Sequence, residues 1–276
     1  TCSNLGAAMS RAGKKVLLVD GDMQLNLSLA VFPEDWVLEH AQGEKNLYHA
    51  IGKQEDLTDY IVHTPYESLD LIPSSTLMSS IEYELFTKGQ REFILKKCIQ
   101  KIKDSGVYDY ILIDAPPTLG GWVMNILCAS DKVIIPVEAS PWGMFGLANM
   151  FEFLGEVKQI APDLEVAGIA VTKVDTRKNY FKQTMETLHQ LGQRQAHIVK
   201  RLRPAVERLQ TVHQHNLPVE AQEVLFVEPL HHPFAIVFVA FAQHAGVAVF
   251  IGLRQLGFAD GVDVGPREKL QRRRAR

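Results

Sequence analysis

Five short runs of apolar, β-favouring residues recur along the first two-thirds of the chain and limit the folds open to it. They are Val-Leu-Leu-Val at 16–19, Leu-Asp-Leu-Ile at 69–72, Tyr-Ile-Leu-Ile at 110–113, Val-Ile-Ile-Pro-Val at 133–137 and Val-Ala-Gly-Ile-Ala-Val at 166–171. Runs this apolar suit strands buried on both faces. The stretches 2–12, 77–104, 143–160 and 178–191 instead carry apolar residues at three- and four-residue spacing, so that Ile94, Leu95, Cys98, Ile99 and Ile102 share a helix face. Strands alternating with helices imply right-handed crossovers and a mostly parallel sheet covered on both sides. In such sheets ligands bind beyond the carboxyl ends of the strands.

Two of those ends carry acids. The first strand runs into Asp20-Gly21-Asp22-Met23-Gln24. Two carboxylates two residues apart at the exit of an apolar strand can meet a metal ion, a water or a phosphate. A lone pair of this kind also serves as a helix cap or turn. The strand at 110–113 ends in Asp114, followed by Ala115-Pro116-Pro117-Thr118-Leu119-Gly120-Gly121. An acid so placed is how P-loop nucleotide hydrolases hold Mg²⁺, usually through water. The prolines and glycines after it make a loop whose backbone is free to sense a phosphate.

Together these segments resemble the ParA-type partition ATPases, the deviant-Walker-A branch of the P-loop NTPases that also contains MinD. VLLVDGDMQLNLS resembles the family's D-x-D-P-Q-x-N segment, and YDYILIDAPPTLG its Y-D-x-I-I-I-D-x-P-P-x-L-G segment. DKVIIPVEASPWGMFGL at 131–147 and GIAVTKVDTRKNYFKQTMETL at 168–188 extend the likeness over about residues 1–192. The resemblance implies a three-layer α/β P-loop fold, ATP and Mg²⁺ as ligands, a homodimer, nonspecific DNA and a ParB-like partner that stimulates hydrolysis, in the cytoplasm on the nucleoid. It implies that Asp22 positions or activates the attacking water, that Asp20 lies near the metal and that Asp114 is the Walker B acid. The loop containing Pro116, Pro117 and Gly120 matches the switch that reports γ-phosphate. Met23 stands where the family has Pro, which frees the backbone after Asp22. Thr1-Cys2-Ser3-Asn4-Leu5-Gly6 resembles the residues that follow the family's K-G-G-x-G-K-[ST]-T loop. By that alignment the loop lysines and the Mg²⁺-binding hydroxyl fall ahead of Thr1, and the chain by itself is expected to bind nucleotide poorly and to be inactive.

Thr172-Lys173-Val174-Asp175 resembles the T-K-x-D with which related GTPases read guanine, and it equally fits a polar strand exit. Signal-recognition-type GTPases are the enzymatic alternative, but they carry D-T-A-G-R where this chain has Asp114-Ala115-Pro116-Pro117. A nonhydrolysing remnant or adaptor is the alternative from a different class.

Composition bears mainly on the last third. Residues 1–200 hold 15 Lys, 4 Arg and 25 acids, whereas residues 201–276 hold 1 Lys, 9 Arg and 7 acids. Residues 229–253 contain no Asp, Glu, Lys or Arg, a length that could span a bilayer, although Gln243, His244 and the nearby glycines and prolines argue for a buried strand and helix. A frame change near 190–200 accounts at once for the inverted basic usage, the charge-free run and the end of the family pattern. The expected division is therefore a nucleotide-hydrolase domain at 1–193 and an atypical tail at 194–276, either out of frame or an appendage, with membrane attachment disfavoured. Three scattered cysteines and histidines without acids at ligand spacing point to a reducing compartment and to no dedicated transition-metal site.

Overall fold

The computed structural model describes residues 1–172, 179–194, 234–239 and 248–251. Eight strands form one sheet: β1 (Val16–Asp20), β2 (Val62–His63), β3 (Leu69–Ile72), β4 (Tyr110–Ala115), β5 (Lys132–Glu138), β6 (Glu165–Thr172), β7 (Phe234–Val239) and β8 (Ala248–Ile251). Their order across the sheet is β2-β3-β1-β4-β7-β5-β6-β8. Among the described residues all neighbours pair in parallel except β2 with β3 and β8 with β6, the short strands at the two ends of the order. Short edges limit pairing with other chains.

Nine helices are described: α1 (Cys2–Arg11), α2 (Asn26–Leu29), α3 (Glu34–Gln42), α4 (Leu47–Lys53), α5 (Ile81–Phe86), α6 (Ile94–Ser105), α7 (Gly121–Ala129), α8 (Pro141–Ile160) and α9 (Asn179–Arg194). Because side chains alternate along a strand, the sheet feeds two cores. Leu17, Val19, Ile111 and Ile113 face a layer built from α4, α5, α6, α7 and α8. Val16, Leu18, Tyr110 and Leu112 face the other layer, where α1 contributes Cys2, Leu5 and Met9 and α2 contributes Leu27. Burying each such Leu or Ile contributes about 1.5–3 kcal/mol. This produces the three layers expected from the alternating pattern.

The five expected strands are present, most of them a residue or two longer than the apolar runs. The single helix expected over 77–104 is divided. A short 3-10 turn, Thr76–Ser80, leads into α5, and the chain breaks at Lys88-Gly89-Gln90 before α6. Gln90 holds φ 52°, outside the helical region, and the Lys88 Nζ donates to the Gly52 carbonyl at 2.6 Å, which fixes the break against α4. Helix α7 is so thoroughly buried, with seven of its nine residues inside, that it has no polar face and therefore no helical periodicity to read.

From the segment after 193, β7 and β8 join this same sheet. The charge-free run thus supplies two strands among its described residues. Lys173 and Asp175 lie outside the described residues. No helix of the described residues is long and apolar enough to cross a membrane.

Candidate nucleotide site

Asp20 and Asp114 are register partners at the carboxyl ends of adjacent parallel strands. Asp20 is fully buried. Its Oδ2 accepts from the Ser28 backbone N–H at 2.8 Å and from the Ser28 hydroxyl at 2.6 Å, and its Oδ1 accepts from the Asp22 N–H at 3.3 Å. Those bonds fold the chain after β1 back on itself and start α2, whose first turn follows Leu25 at φ 60°. Ser28 was not singled out from the sequence. Flanked by Leu27 and Leu29, it gives no local sign that its hydroxyl is buried against an acid.

Gly21 joins this turn to β4. Its N–H donates to the Asp114 carbonyl at 2.9 Å, and its own carbonyl accepts from the Trp122 indole at 2.9 Å. A Cβ at this position would stand 2.7 Å from the Asp114 carbonyl oxygen and 3.2 Å from Ile126 Cδ1. Only a hydrogen fits between the two strand ends, which explains the Gly of Asp-Gly-Asp. Trp122 lies in the first turn of α7 and so ties the Asp20/Asp22 turn to the end of the 116–120 loop.

Asp22 is half-buried, and its Oδ1 accepts from the Gln24 N–H at 3.1 Å. Pro116, Pro117 and Gly120 lie half-buried on the same edge, and Gly120 in extended conformation precedes α7. There the Glu82 carboxylate accepts from the Trp122 N–H at 3.4 Å, and a side chain on Gly120 would run into it. Thr172 is buried at the end of β6, and its hydroxyl donates to the Val137 carbonyl at 3.4 Å.

Burial makes charge costly here. Desolvation pushes Asp20 up to about 7 against the Ser28 donors, and Asp114 adds to the rise. Asp114 itself is pushed to about 6, chiefly by desolvation, with Asp22 adding to the rise. Asp22 is raised as well, by desolvation, against the Gln24 N–H. Among the described residues nothing donates a hydrogen bond to the Asp114 carboxylate, so its oxygens remain available. Three acids short of positive charge at one edge suit a divalent cation. Among the described residues, however, no group of three or more His, Cys, Asp or Glu closes around a point.

A pH prediction follows from Asp20. Its neutral form is favoured in the fold, so charging it costs stability as pH rises from the ordinary carboxyl value of 3.8 through about 7. Relative to Asp20→Asn, the unmodified chain is expected to lose on the order of a few kcal/mol across that window. Urea unfolding of both chains at several pH values measures this, and parallel curves would remove the buried-acid assignment.

Sequence comparison bears on the same residues. The family model described as AAA domain matches residues 1–166. The sporulation initiation inhibitor protein Soj of Bacillus subtilis is 34% identical over 220 residues, 79% of this chain and 83% of that protein. The chain belongs to the ParA/Soj family of P-loop ATPases. Chromosome partitioning protein ParA of Caulobacter vibrioides is 30% identical over 184 residues, 66% of this chain and 67% of its own length. Among solved structures, a plasmid partition protein from Borrelia burgdorferi superposes with TM-score 0.58 at 25% identity, covering 68% of this chain and 78% of that one. Cobyrinic acid a,c-diamide synthase from Mycobacterium smegmatis, solved with ADP and magnesium, superposes with TM-score 0.61 at 25% identity, covering 68% and 74%. Membership in the ParA/Soj family accounts for the mostly parallel sheet with helices on both faces. By family resemblance the activity is that of an ATPase.

Proposed function

We propose that this chain is the nucleotide-hydrolysing part of a DNA-partition switch, an ATPase that dimerises with ATP bound, binds DNA without sequence preference and is reset by a ParB-like partner. The Gly21 N–H to Asp114 carbonyl bond carries the reading, because it holds the Asp20/Asp22 turn and the Walker B strand end in one fixed relation. Residues 1–193 are assigned the nucleotide chemistry. Relatives named for chromosome partitioning and a plasmid partition protein of the same fold support the cellular role.

The assigned roles follow the positions of the acids. Asp114 offers free carboxylate oxygens toward a cation, either directly or through water, and Asp20 adds negative charge behind it. Bound Mg²⁺ would supply the positive charge that offsets the γ-phosphoryl group. Asp22, at the exposed end of the turn, holds and orients the water. Its raised proton affinity makes it a better acceptor for a water proton than an ordinary aspartate. The Pro116-Pro117 to Gly120 loop runs directly into α7, so displacement of the loop by a phosphate moves Trp122 and, through it, Gly21. Thr172, Lys173 and Asp175 are assigned to the base side of the pocket, and cytoplasmic, nucleoid-bound action accompanies the role.

Base preference is the direct test. The chain joined at Thr1 to a strand and K-G-G-x-G-K-[ST]-T loop of the family pattern is expected to bind ATP at least tenfold more tightly than GTP in competition. If GTP binds more tightly and Asp175→Asn reverses the preference, a GTPase reading replaces this one. DNA cosedimentation that is indifferent to ATP would remove the switch.

A further inference from the structure

Helix α7 has no cap of its own. Gly120, the residue before it, has no side chain, and its first turn carries no acid, so the opening amides receive no side-chain acceptor from their own segment. The acceptor comes from α5. Ile81 and Leu85, four residues apart, seat that helix in the core, and the Glu84 carboxylate accepts from the Tyr48 hydroxyl of α4 at 3.4 Å. Glu82 leaves α5 on an exposed side. Its carboxylate accepts from the Trp122 N–H and lies tight against Gly120, where a Cβ would stand 3.2 Å from Glu82 Cδ and closer still to Oε1. Negative charge in front of a helix's first turn is favoured by the free N–H groups there.

Trp122 is thereby held twice. Its backbone N–H is bound by Glu82, and its indole donates to the Gly21 carbonyl at 2.9 Å. Gly21 in turn donates to the Asp114 carbonyl. A single residue thus links α5 to the turn that carries Asp20 and Asp22. A cap supplied from outside behaves differently from one within the segment. A serine at position 120 would travel with the loop and cap α7 wherever the loop went. A carboxylate on α5 holds the start of α7 in one place only, and the contact is lost once the loop moves beyond hydrogen-bond reach.

We propose that Glu82 is a positioning residue for the nucleotide site, acting through Trp122 to hold the 116–120 loop and the Asp20/Asp22 turn in one resting arrangement. Given the switch role proposed above for that loop, on which this assignment rests, the Glu82 contact is what an arriving phosphate breaks. The phosphate's negative charge repels the carboxylate and competes for the N–H groups it faces. Release of Trp122 from Glu82 loosens its indole and, with it, the Gly21 carbonyl.

Amide and indole hydrogen exchange, followed by NMR in the nucleotide-free chain, tests the assignment. Glu82→Ala should speed exchange of the Trp122 N–H, the Trp122 indole N–H and the Gly21 N–H together, by about three- to tenfold. Leu127 and Cys128, in the second half of α7, should be unchanged. Adding Gly120→Ser to Glu82→Ala gives α7 a cap of its own. It should restore protection at the Trp122 N–H and leave the indole and Gly21 fast. Restoration at all three would make Glu82 a helix cap and nothing more. Glu82→Ala without effect on the indole and Gly21 would overturn the assignment outright. None of these readouts uses nucleotide, so either the ATPase reading or the role of Glu82 can fail while the other stands.

Discussion

In a chain extended at Thr1 by a family-pattern phosphate loop, Asp22→Ala is expected to bind ATP within a few-fold of its parent and to hydrolyse it about 10²–10⁴-fold more slowly. The asymmetry follows from where the three acids sit. Asp20 is sealed behind Ser28, and Asp114 belongs to the strand end, whereas Asp22 is the carboxylate on the open side of the turn, with one oxygen held by the Gln24 N–H and the other given no hydrogen bond among the described residues. Its removal takes away a proton acceptor and a water anchor without disturbing the strand pairing that holds the turn. Asp22→Asn keeps the shape and should be nearly as slow, because the amide can hold a water but accepts its proton poorly. Single-turnover hydrolysis alongside equilibrium ATP binding separates the two effects. Unchanged turnover in either variant would remove the assignment of Asp22.

Gly21→Ala is expected to cost about 2–4 kcal/mol of stability and to disable hydrolysis as well. The added methyl would meet the Asp114 carbonyl oxygen at 2.7 Å, a backbone atom fixed by pairing on both sides of β4. Relief requires the turn to lift from β4, which breaks the Gly21 to Asp114 bond and pulls the Gly21 carbonyl from the Trp122 indole. Gly155→Ala is the matched control. It lies in the interior of α8, where an added Cβ meets nothing within 4 Å, and should raise stability by about 1 kcal/mol. Denaturant midpoints of the two variants give the comparison. Equal and small changes would mean that the space around Gly21 is not closed.

What could be read before the structure, and what could not, divides along physical lines. The strands were legible because burial on both faces removes polar residues from β1, β4 and β5, leaving an apolar signal in the sequence itself. Asp20, Asp22 and Asp114 were legible because charge at the end of such a run needs a reason. Helix α7 was not, since complete burial erased its amphipathic pattern, and the Gly-Gly at its start reads as loop. Trp122 and Asn125 were missed for another reason, because each acts through a partner distant in sequence. Asn125, inside α7, accepts from the Leu95 N–H at 3.0 Å and donates to the Arg91 carbonyl, fixing the start of α6. Nothing local to Asn125 indicates this. The placement of β7 depends least on local sequence, because an apolar run specifies a buried strand but not which neighbours it lies between.

That placement also orders the events of folding. A ribosome delivers β4 and β5 more than ninety residues before Phe234 emerges. Until then each has an unsatisfied row of backbone donors and acceptors facing the other across an open gap. The intervening chain must close as a long loop before the ladder forms, and such closure gains nothing until its last contacts are made. The two partial sheets, each with an apolar open edge, are in the meantime competent to pair with a second copy of the chain. Refolding yield should therefore fall with protein concentration more steeply than for a sheet whose central strand is made first.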